Sequence, residues 1–68
     1  MDKDWVKIYS TNNTTEAGLI KLTLEQNEIG CVIINKMDSI YIVIGEIELY
    51  VKKDHAVIAL NIIEKELE

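Results

Sequence analysis

The chain has no proline, no arginine and no phenylalanine, one cysteine, one histidine and three glycines in 68 residues. Each scarcity closes a class of answers. A single cysteine cannot build a disulfide scaffold, and a lone Cys31 fits a reducing interior. Gly18, Gly30 and Gly45 are scattered, so they form neither a phosphate-cradling loop nor a collagen repeat. Without arginine the chain lacks the side chain that grips phosphate through two parallel hydrogen bonds. No apolar run approaches the roughly 18 residues of a transmembrane span. His55 and Cys31 cannot supply zinc-ligand spacing, and no Asp-rich calcium loop is present, so no metal or other cofactor is expected. The opening Met1-Asp2-Lys3-Asp4-Trp5 has neither the basic region nor the apolar stretch of a signal peptide, which makes the cytoplasm the expected compartment.

What remains is a chain with 49% apolar residues and a net charge of -5. Residues 1–68 read as a single domain. A domain this small buries only about 60% of the surface that its unfolded chain exposes, so it needs an efficient core or a partner chain. Twelve carboxylates against seven lysines make a surface that repels phosphate backbones, so nucleic acid is not an expected partner. A membrane is not expected either.

Five elements are legible. Residues 5–9 alternate at period two and predict a strand with Val6 and Ile8 on one face. Asn13-Thr14-Thr15-Glu16 has the spacing of a capping box, opening a helix to about residue 27. Ala17, Ile20 and Leu24 form its apolar stripe, and Gly30 is the expected left-handed stop. Residues 31–35 are a short apolar run, hence a second strand, and residues 36–39 are a turn. Residues 40–51 form a long β-branched stretch broken at Gly45, in which Ile47, Leu49 and Val51 face one way and Glu46, Glu48 and Tyr50 the other. Asp54 is the expected cap of a last helix to about residue 67, with Ala56, Ala59, Leu60, Ile63 and Leu67 as its stripe.

This order predicts an α+β, ferredoxin-like β-α-β-β-α fold: a three-stranded antiparallel sheet ordered 1-3-2 with two helices on one face. The other face is expected to carry Trp5, Lys7 and Tyr9, then Cys31, Ile33 and Asn35, then Glu46, Glu48 and Tyr50. Trp5, Tyr9, Ile33 and Tyr50 would form an apolar patch there, and contiguous exposed apolar surface marks contacts. Ile58 and Ile62, four apart on the last helix, form a second candidate contact ridge.

Catalytic constellations are thin. His55 lies in the first turn of a helix, where the macrodipole disfavours a cationic imidazole. Cys31 has no neighbouring His or Lys in sequence to lower its pKa, so packing is expected. Glu46 and Glu48 share a face, but adjacent exposed carboxylates serve more often as lysine partners than as an acid–base pair. The turn at Asn35, Lys36, Asp38 and Ser39 gathers an amide, an ammonium, a carboxylate and a hydroxyl, the alternative being ordinary turn chemistry.

Thr11-Asn12 with Glu16-Ala17 and Leu19-Ile20-Lys21 form one familiar pattern. Asn35-Lys36 with Asp38-Ser39, and the strand Gly45-Glu46-Ile47-Glu48-Leu49-Tyr50-Val51, form two more. Together they resemble a family of small bacterial signal-transducing proteins of the domain-of-unknown-function type, over nearly the whole chain. That family looks like a minimal version of the nitrogen-regulatory PII proteins. The resemblance implies a ferredoxin-like core and supplies no catalytic residues to carry over. The expected function is a non-enzymatic regulatory or adaptor domain working through protein contact, as a homo-oligomer or with a protein partner. The alternative is a sensor of a small-molecule ligand, a metabolite or nucleotide, bound at the turn after the second strand.

Overall fold

The computed structural model describes residues 3–35 and 46–67. In chain order these form β1 (Trp5–Thr11), α1 (Thr14–Gln26), β2 (Cys31–Asn35), β3 (Ile47–Lys52), a 3-10 turn (Lys53–His55) and α2 (Ala56–Glu66). The strands make one antiparallel sheet in the order β1-β3-β2. This is the expected ferredoxin-like arrangement. Among the described residues, no helix is long and apolar enough to cross a membrane.

One face of β3 organises the core. Ile47, Leu49 and Val51 are buried at period two, and they cluster with Ala17, Ile20 and Leu24 of α1 and Ala59 and Ile63 of α2. Both helices therefore lie on the same side of the sheet. Full burial of a Leu, Ile or Val side chain contributes about 1.5–3 kcal/mol, so this cluster supplies the main stabilising term of a small domain.

Local chemistry sets both ends of α1. The Glu16 N–H donates to Asn13 Oδ1 at 3.0 Å, as the cap spacing requires. The reciprocal half of a capping box is replaced: Asn13 N–H donates to Thr11 Oγ1 at 3.0 Å, and the Glu16 carboxylate turns to Tyr9. At the C-terminus, Ile29 N–H donates to the Leu24 carbonyl at 2.9 Å and Glu28 N–H to that of Glu25 at 3.0 Å. That pair of bonds is a Schellman closure, with buried Ile29 and Leu24 as its apolar contact. The left-handed residue it requires is Glu28, at φ 63°, and not Gly30. The second helix also begins differently from expectation: Asp54 lies in the 3-10 turn, and His55 occupies the N-cap position without a side-chain capping bond.

Three face assignments differ from expectation. In β2, Cys31 pairs with Val51 and Ile33 with Leu49, which puts both on the core side and leaves Val32 and Ile34 on the open side. Asn35, opposite Ile47, follows the same parity. In β1 the register shifts between Lys7 and Tyr9, so Tyr9 comes opposite Leu49 and packs against the core. In α2 the stripe runs through Ala59 and Ile63, flanked by Ala56 and Ile62, while Leu60 and Leu67 are 48% and 49% exposed. The first half of the expected third strand, residues 40–45, and the turn residues Lys36, Asp38 and Ser39 lie outside the described residues.

A left-handed non-glycine residue costs about 1–2 kcal/mol, part of which glycine returns through its greater unfolded-state freedom. Glu28→Gly should therefore stabilise the domain by about 0.5–1 kcal/mol. Urea unfolding would show a higher midpoint at an unchanged slope. A lower midpoint would contradict the closure described.

Candidate functional site

The uncovered face of the sheet is built by strand pairing, since directly paired residues point to the same side. Trp5 pairs with Lys52, Lys7 with Tyr50, and Ser10 with Glu48. Across the other edge of β3, Val32 pairs with Tyr50 and Ile34 with Glu48. The face thus presents Trp5, Lys7 and Ser10 from β1, Glu48, Tyr50 and Lys52 from β3, and Val32 and Ile34 from β2.

Its polar groups are ordered around one carboxylate. Glu48 is only 6% exposed, in the middle of the central strand. The Tyr50 hydroxyl donates to its Oε1 at 2.9 Å, and Lys7 Nζ lies 3.5 Å from its Oε2. A hydrogen bond to a charged group contributes about 1.5–3 kcal/mol, whereas an ion pair with a half-exposed lysine contributes about 0–1 kcal/mol. The phenol is therefore the stronger partner of the two. Its bond to Glu48 also fixes the Tyr50 ring on the face. Beside it, Lys52 Nζ sits 5.1 Å from the centre of the Trp5 ring, a cation–π contact worth about 0.5–1 kcal/mol at an exposed position. Trp5 and Tyr50 are diagonal neighbours across the β1–β3 pair, and such positions are about 7–8 Å apart, within reach of aromatic rings. The result is two half-buried aromatic residues on one face, bordered by ammonium groups and by Val32 and Ile34.

Two of the four residues expected here are elsewhere. Trp5 and Tyr50 share the open face. Tyr9 and Ile33 belong to the covered side and pack against the core. The Tyr9 hydroxyl donates to Glu16 Oε1 at 2.8 Å, tying β1 to the first turn of α1. That bond to a carboxylate, together with burial and the carboxylate's charge, raises the Tyr9 pKa above its ordinary value. The Ile58–Ile62 ridge is divided: Ile62 packs against the core, and Ile58 is 55% exposed. Of the turn assigned to a ligand, Asn35 is exposed at the end of β2, and Lys36, Asp38 and Ser39 lie outside the described residues.

The remaining chemical candidates are Cys31 and the Glu46–Glu48 pair. Cys31 is buried, and burial raises its thiol pKa against the opposing pull of Lys21. Glu46 is exposed while Glu48 is buried and held by Tyr50 and Lys7, so the two carboxylates occupy unlike environments. A shallow charged depression of about 180 Å³ lies between Asp4, Lys52, Lys53 and Asp54. Its two ammoniums and two carboxylates balance.

Sequence reading missed Val32, Ile34 and Lys52 as members of the open face. Cys31-Val32-Ile33-Ile34 is apolar throughout, so its own pattern carries no phase, and only pairing with the alternating β3 sets it. Lys52 was legible in principle, as the next residue after Tyr50 on the same parity.

Residues 5–66 match the family model described as Putative prokaryotic signal transducing protein. No curated protein and no solved structure matches the chain.

Tyr9 favours its neutral form in the folded state. Its contribution to stability is therefore complete below the ordinary tyrosine pKa of about 10 and falls away as pH rises above it. Tyr9→Phe should cost about 1 kcal/mol near neutrality, and the variant should lose stability less steeply than the parent above pH about 10. Parallel curves from pH-dependent thermal melts would exclude the bond to Glu16. The buried Cys31 thiol should react with a thiol reagent at least about tenfold more slowly in the native protein than in denaturant. Equal rates would contradict its burial.

Proposed function

The chain belongs to that prokaryotic signal-transducing family, and we propose that it acts as a non-enzymatic regulatory or adaptor domain that transmits its signal by protein contact through the open face of the sheet. The carrying observation is that Trp5 and Tyr50 share a face that neither α1 nor α2 covers. Aromatic residues held in fixed rotamers are the usual anchors of protein interfaces. Here one ring is held by Glu48 and the other lies under Lys52. Val32 and Ile34 extend the surface with apolar area. In a chain of net charge -5, the ammoniums of Lys7 and Lys52 on this face suit a partner with acidic groups around an apolar centre.

The compartment in this reading is the cytoplasm, and the working form is a homo-oligomer. A ferredoxin-like sheet ordered 1-3-2 with both helices behind it is also what a minimal PII-like regulator would have.

Affinity capture from the native cell tests the reading. Trp5→Ala and Tyr50→Ala should each weaken capture of a specific partner by about thirtyfold, the size of an interface hot spot of about 2 kcal/mol. Leu22→Ala, on the exposed side of α1, should leave it unchanged. A captured set indifferent to both aromatic substitutions would overturn the open face as the docking surface.

A further inference from the structure

The second helix carries more apolar surface than the core uses. Ala59 and Ile63 are buried, and Ala56 and Ile62 pack beside them. That leaves Val57 71% exposed and Leu60 half exposed on another side of α2. A surface helix ordinarily carries polar residues away from its core stripe. Here the two apolar residues are framed by charge. Lys53 precedes Val57 by four positions, Glu64 follows Leu60 by four, and both charged residues are exposed. Lys53 belongs to the 3-10 turn that leads directly into α2. Steps of four, three and four set Lys53, Val57, Leu60 and Glu64 along one line of the helix, about 16 Å from end to end at about 1.5 Å per residue.

The charge order of this line identifies its occupant. It reads cation, apolar, apolar, anion, and its spacing is the same from either end. Turned end for end, it is its own complement. A parallel copy would instead set Lys53 against Lys53 and Glu64 against Glu64. A two-fold axis puts residue i against j and j against i. An axis perpendicular to α2, midway between Val57 and Leu60, brings Lys53 of each copy to Glu64 of the other. The same axis sets Val57 of each against Leu60 of the other in the middle. Asp54 and Lys65, beside the line at its two ends, are also opposite in sign. Antiparallel helices further place each positive N-terminus beside a negative C-terminus. Chains of net charge -5 repel one another in general. This line is a place where two of them meet with each cation against an anion.

We infer that α2 packs antiparallel against α2 of a second copy of this chain, with Val57 and Leu60 at the centre and a Lys53–Glu64 ion pair at each end. This rests on the reading of the domain as a homo-oligomer and locates its self-contact. Both helices lie behind the sheet, so Trp5 and Tyr50 of each copy stay open to a partner. One helix line offers a modest area, which places the dimer in the weak class that buries less than about 1,200 Å².

Sedimentation of the full chain tests this without any partner. The wild type should dimerise at about 100 μM, as suits a contact of that size. Val57→Glu, at a position exposed in the monomer, should weaken the dimer by about tenfold or more. Lys53→Glu and Glu64→Lys should each weaken it by about fivefold or more. Each of these two charge changes improves the match to its own helix dipole, so dimer affinity and helix stability should move in opposite directions. An equimolar mixture of the two should regain the wild-type affinity, because one copy then carries two carboxylates and the other two ammoniums. Circular dichroism of each variant confirms that it folds. A wild type still monomeric at about 1 mM, a dimer indifferent to Val57→Glu, or a mixture no tighter than its components would overturn the proposal. So would a monomer that loses capture of another protein on Val57→Glu, which would give the line to that protein. A monomeric wild type that still captures its partner through Trp5 overturns the dimer and leaves the open face standing. A dimer whose capture ignores Trp5→Ala and Tyr50→Ala does the reverse.

Discussion

The alternation of β3 is the constraint from which the rest of the molecule follows. Ile47, Leu49 and Val51 give one side of the central strand to the core, and Glu48 and Tyr50 give the other to the open face. With only 68 residues to close a core, that strand cannot slip by one position without losing most of the buried apolar area. Its two neighbours and both helices take their places from it. Chemistry at the ends of α1 then fixes the approach of that helix: Asn13 begins it, the Leu24–Ile29 closure ends it, and Glu16 ties its first turn to Tyr9.

The same strand couples stability to recognition. A carboxylate as buried as Glu48 costs several kcal/mol unless it is hydrogen-bonded and paired. Tyr50 and Lys7 both come from the open face, so the groups that stabilise Glu48 also define the surface offered to a partner. A fixed tyrosine loses less conformational entropy on binding than a mobile one. The network therefore prepares the face for contact as well as making the central strand tolerable.

Much of this was legible beforehand, and the failures share one cause. Strand order, helix positions and the Asn13 cap all follow from patterns that carry their own phase. Where phase was absent or interrupted, assignments inverted. β2 is apolar at four successive positions, so its pairing and not its sequence decides that Ile33 is inside and Val32 outside. β1 alternates cleanly in sequence, but an inserted residue breaks the parity before Tyr9. Leu60 and Ile62 are equally apolar, and only the placement of α2 over β1 and β3 decides which one packs. Gly30 was the obvious left-handed residue, yet the geometry of the closure counts from Leu24 and falls on Glu28.

The irregularity in β1 also has a consequence for how this chain can vary. Trp5 and Tyr9 are four residues apart and in a regular strand would point the same way; the extra residue sends one ring outward and the other under α1. Spacing within this stretch thus holds two jobs apart. Removal of the one residue between Lys7 and Tyr9 would restore regular alternation with the two rings three apart, leaving Tyr9 opposite Leu49 and beside Glu16, at the cost of the buried Ile8. Substitutions can tune either job alone, and the irregularity lets this stretch lose a residue without mixing the two.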